Sequence, residues 1–62
     1  MTAMQVKIVK GMVHKGANEQ DAIALAKHHA PKIAELESLG VLMPYEIRDI
    51  ITSIGYAEGV ER

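Results

Sequence analysis

The stretch LAKHHAPKIAELESLG, residues 25–40, holds the residues with the most obvious chemistry, His28 and His29. Two histidines chelate a metal from one helix when they are four residues apart. Adjacent histidines project about 100° apart on a helix, so this pair cannot act that way. His14 could approach one of them from another helix, but no carboxylate stands at ligand spacing to the three. A neutral-pH titration role at an interface is the other use of such residues. The expectation is one boundary histidine, one solvated histidine and no bound metal.

Catalysis finds little else to work with. There is no cysteine, and Ser38 and Ser53 lie outside any Ser–His–acid order. Glu35, Glu37, Glu46 and Asp49 read as solvated helix faces. No GxGxxG, P-loop or HExxH is present. Sixty-two residues leave a small core and little room for a deep pocket. The chain is therefore expected to be no enzyme and to carry no cofactor.

A third chemistry is phosphate contact. Lys7, Lys10 and His14 recur at i, i+3 and i+7, with Lys15, Lys27 and Lys32 nearby. The first 32 residues carry five lysines against Glu19 and Asp21, whereas residues 33–62 carry Arg48 and Arg62 against six acids. The net charge of −1 gives no whole-chain attraction to nucleic acid. The polarity instead suits a solvated surface or a polarised, head-to-tail contact between subunits.

The elements that would position these residues follow from periodicity. In TAMQVKIVKGMVHK, residues 2–15, Met4, Val6, Ile8, Val9, Met12 and Val13 fill one broad side of a helical wheel, with Lys7, Lys10 and His14 opposite. The β-branched residues and Gly11 weaken this helix. Gly16 then supplies a C-cap, and Asn18 an N-cap with Glu19 and Asp21 in the first turn. The next pattern runs from Asn18 to Leu39 and stops at Gly40. VLMP is a short apolar connector, and Pro44 fits the first turn of a last helix. That helix carries Ile47, Ile50, Ile51 and Ile54 as one stripe. The predicted fold is an all-α unit of three or four helices over residues 1–55, with residues 56–62 a frayed tail. LGVLMPYEIRDI resembles a common helix–Gly–apolar–Pro–helix corner, seen in many proteins including phage portal subunits. It spans about a fifth of the chain, lacks the usual Ser or Thr cap and implies no function.

Pro31 interrupts the long middle pattern. Its ring clashes with the carbonyl of Lys27 and removes a backbone donor, at about 3 kcal/mol inside a helix. Either a kinked helix or a break with Pro31 opening a new helix accommodates it. The combined apolar side is wide and alanine-rich, which predicts a long, bent central element that its own chain covers incompletely.

Helix-turn-helix DNA binding is the natural test for a unit of this size. One frame sets helices at 2–15 and 18–29 around GAN. Its recognition end offers Asn18 and Gln20, but also Glu19 and Asp21, which phosphate repels. It has no arginine, the usual partner of guanine. The other frame, 19–29 then 31–39, has no room for a turn.

Small domains without disulfides rely on efficient packing or on partners. The chain is 48% apolar, without Phe or Trp, and has no run of about 18 apolar residues and no signal-peptide pattern. The expectation is a cytoplasmic protein off the membrane, acting as a homodimer or small oligomer and binding a protein partner. Leu25, Ala26, Ile33 and Leu36, with Val41, Leu42 and Met43, are the expected interface. Met4, Met12 and Met43 are core filler or adaptable contact surface. Such a module suits a regulator or inhibitor of a larger machine, as accessory proteins of phages and plasmids are, an analogy of size alone. The alternative is a helix-turn-helix-like nucleic-acid-binding regulator using Lys7, Lys10, His14, Lys15 and Lys27.

Overall fold

The computed structural model of the protein describes residues 1–55, so the expected tail at 56–62 lies outside the described residues. Four helices follow one another: α1 (Ala3–His14), α2 (Glu19–His28), α3 (Ala30–Ser38) and α4 (Pro44–Ile54). Among the described residues there is no strand, and no helix is long and apolar enough to cross a membrane.

Local chemistry accounts for most of the boundaries. The Thr2 hydroxyl accepts the Gln5 N–H at 3.2 Å, and the Gln5 side chain accepts the Thr2 N–H at 3.0 Å. This reciprocal pair satisfies two donors that a bare helix start would leave open. At the other end of α1, Gly16 takes φ 106°, a conformation that glycine adopts without strain. There the Ala17 N–H reaches the Met12 carbonyl at 3.0 Å and the Gly16 N–H that of Val13 at 2.9 Å. Those two bonds are the Schellman closure. Asn18 Oδ1 then accepts from Gln20 N–H at 2.9 Å and Asp21 N–H at 3.2 Å, opening α2 as expected. The start of α4 lacks a hydroxyl cap, and the Glu46 carboxylate accepts the Met43 N–H instead, at 2.7 Å.

The long central helix is not what forms. α2 and α3 are separate, with ten and nine residues, and His29 alone joins them at φ −99°, ψ 19°. The His29 N–H still bonds back to Leu25 at 3.0 Å, while its carbonyl already accepts from Ile33 at 2.8 Å. One residue thus ends one helix and begins the next. Pro31 falls in the first turn of α3, where no intrahelical donor is required.

The His29 ring fixes this junction to the residue that follows α4. It is buried, and its Nε2 lies 2.6 Å from the Gly55 carbonyl beyond α4. A carbonyl only accepts, so the Nε2–H donates. His29→Phe keeps a ring but removes the donor, and should lower stability by about 1–2 kcal/mol. Thermal melting checks this, and an unchanged midpoint would mean that water satisfies Gly55 equally well.

The core is Ile8, Val9 and Met12 from α1, Ala22 and Ala26 from α2, Ile33 from α3, and Ile47 and Ile51 from α4. The hub is α1, which packs most extensively on α2 and α4 and also touches α3. The expectation of a central α2–α3 element is corrected accordingly. Two expected interface residues, Ala26 and Ile33, are buried in this core and do not reach the surface. The proline break lets α2 and α3 each turn a narrow apolar face toward α1, so the predicted wide face never forms.

Gly11 has a packing reason. A Cβ there would lie 2.9 Å from Arg48 Cδ and 3.1 Å from its Nη1. The missing side chain lets the Arg48 stem pass close to α1. Gly11→Ala should therefore change stability little alone, because about 1 kcal/mol of helix propensity is offset by displacing Arg48. In an Arg48→Ala background the same change should stabilise by about 1 kcal/mol. Urea titration of the four-member cycle measures the coupling, and strict additivity would rule the contact out as an energetic one.

Candidate protein-interaction surface

The chain leaves α3 through a five-residue connector, 39–43, and enters α4 at Pro44. The Ser38 hydroxyl donates to the Glu35 carbonyl at 2.6 Å as α3 ends. Gly40 takes φ 73°, turning the chain. Beyond it, side chains alternate. Leu42 packs against the core, while Val41 and Met43 point outward. Extended backbone at Met43 enforces that alternation. The result is an apolar corner of Leu39 (58% exposed), Val41 (77%), Met43 (55%) and Tyr45 (54%). Helices anchor it at both ends.

The sequence reading placed Val41 and Met43 on the contact surface, and both are exposed. Leu42, Leu25 and Leu36 are half-buried against the core, so each offers at most an edge. Leu39 and Tyr45 escaped that reading. Their signal was present: each flanks a turn residue, Gly40 or Pro44, where a helix face gives way to solvent.

Acids flank the corner along the sequence. Between Lys32 and Arg48 the sequence has Glu35, Glu37 and Glu46 and no cation. Glu35 pairs with Lys32 at 3.3 Å, leaving Glu37 and Glu46 without a cationic partner among the described residues.

The exposed basic residues belong mainly to α1 and α2. Lys7, Lys10, His14 and Lys15 are exposed on and just beyond α1, and Lys27 is exposed on α2. None of these lysines pairs with a carboxylate among the described residues. Between them, Val9, Lys10, Val13, His14 and Glu19 line a shallow depression of about 310 Å³.

A second concavity, of about 250 Å³, lies between α1, α2 and α4. Met12, Ala22 and Leu25 give it an apolar floor, and Arg48 forms one wall. The Arg48 side chain is only 14% exposed. Its Nε and Nη2 donate to Asp49 Oδ1 at 3.1 and 2.9 Å, so its charge is already engaged. Lys15, Asp21, Asp49 and Thr52 also line the concavity, and the Thr52 hydroxyl donates to the Arg48 carbonyl at 2.7 Å.

The histidines do not converge on a site. The His28 and His29 rings meet edge to face at 4.7 Å, His28 exposed and His29 buried. Among the described residues, no group of three or more His, Asp or Glu is placed to hold a metal ion. No protein-family model, curated protein or solved structure matches the chain.

Proposed function

We propose that the chain is a small, cytoplasmic, non-enzymatic protein-interaction module, a self-associating regulator or inhibitor of a larger machine. The observation that supports this is the apolar corner of Leu39, Val41, Met43 and Tyr45. Four large apolar side chains at alternate positions, each more than half exposed, are costly to leave in water, and such residues mark contact sites. Their backbone is held by α3 and α4, so docking them orders little that is not already ordered.

Retention of host-lysate proteins on the immobilised full chain tests the reading. Val41→Lys with Met43→Lys should abolish specific retention while leaving helicity intact by circular dichroism. Equal retention by both chains would refute the corner as the contact surface.

Nucleic-acid binding is the competing reading, supported by the exposed, unpaired Lys7, Lys10, Lys15 and Lys27. Against it, Glu19 and Asp21 occupy the opening turn of α2, the helix that would read bases. DNA retention that falls steeply with salt and is lost on Lys7→Glu plus Lys10→Glu would favour it.

A further inference from the structure

Resting on the corner as a contact surface, we infer that its occupant is the basic α1 face of a second copy of this chain, docked head to tail. Charge complementarity carries the choice. The corner is apolar, with Glu37 two residues before it in the chain and the Glu46 carboxylate 2.7 Å from the Met43 N–H. The α1 face is its inverse, a partly exposed Val13 among Lys10, His14 and Lys15, with Lys7 one turn before. The α1 depression offers a seat for a projecting side chain such as Val41, the most exposed large apolar residue among the described ones. Glu19 is the one acid on that depression's lining.

Among the described residues, neither set of charges is paired with an opposite charge. The two ion pairs among the described residues, Lys32–Glu35 and Arg48–Asp49, involve none of Lys7, Lys10, Lys15, Glu37 or Glu46. A corner-to-corner dimer would bring Glu37 and Glu46 toward their own copies, a repulsive arrangement. Corner to α1 face pairs opposite charges and covers both apolar areas. Because the two patches differ, each copy keeps one of each free after docking. Such a contact closes into a ring or grows as a chain, and does not stop at two.

Sedimentation velocity on the purified full chain tests this. The wild type should gain mass with concentration, passing beyond a dimer, and weaken at high salt. Val41→Lys/Met43→Lys spoils the corner and keeps the face, whereas Lys7→Glu/Lys10→Glu spoils the face and keeps the corner. Each variant alone should associate about tenfold more weakly or worse. Mixed, the Val41→Lys/Met43→Lys and Lys7→Gln/Lys10→Gln variants, whose spoiled patches do not attract each other, should form a 1:1 heterodimer that grows no further, since each supplies the patch that the other lacks. If either variant loses helicity, Val41→Ser/Met43→Ser and Lys7→Gln/Lys10→Gln take its place. A monomeric wild type, or an associating wild type whose two variants fail to complement, overturns the head-to-tail contact. A monomeric wild type whose lysate retention still depends on the corner would overturn this contact alone and leave the interaction reading standing.

Discussion

Replacing Ile8 with alanine should leave most of the chain unfolded at physiological temperature. Ile8 is fully buried on α1, the helix against which the other three pack. Truncating a buried Ile removes transfer free energy and leaves a cavity, together about 2–5 kcal/mol. A domain of this size has about 3–9 kcal/mol to lose, at 0.05–0.15 kcal/mol per residue. No disulfide cushions that loss, since the chain has no cysteine. Melting followed by circular dichroism, at matched protein concentration, measures the effect. A midpoint lowered by less than about 8 °C would contradict the placement of Ile8 at the centre of the core.

A matched pair of substitutions separates core from surface. Ala26→Asp should abolish cooperative unfolding, whereas Val41→Asp should leave stability within about 0.5 kcal/mol. Ala26 is fully buried in the apolar cluster, and the buried polar side chain among the described residues, His29, already engages the Gly55 carbonyl. An unpaired buried charge costs several kcal/mol, comparable to the whole stability. Val41 is 77% exposed, so an aspartate there stays in water. Urea titration reads both variants. If Ala26→Asp remained folded and lost only self-association, Ala26 would be an interface residue after all.

That pair also marks where sequence reasoning reached its limit. Ala26, Ile33 and Leu36 share the apolar side of the 18–39 pattern, as an exposed seam or a buried face equally would. Which of them is covered depends on how α1 and α4 cross α2 and α3. Ala26 and Ile33 disappear into the core, while Leu36 stays half-exposed. The corner behaves the same way. Val41, Leu42 and Met43 are consecutive apolar residues, and only the core beneath Leu42 decides that it turns inward and its neighbours outward.

By itself, the sequence determined the helical class and most helix ends. Those signals act over three or four residues: Asn18 on the Asp21 N–H, Gly16 closing α1, Gly40 after α3, Pro44 opening α4. No distant partner is needed for a cap or a φ value, so they can be read from the chain. The proline was half legible. Its ring excluded an ideal helix through residue 31 but left kink and break open. The break forms where the chain ends one helix and starts another on His29, whose ring is tied to Gly55 at 2.6 Å. That contact spans 26 residues, and no local rule contains it. The tertiary structure alone also decided that α1 is the hub, that Gly11 makes way for Arg48, and that the apolar corner and the basic face stand apart. Each of these depends on which surfaces meet across long sequence separations, where the short-range periodicity of side chains carries no information.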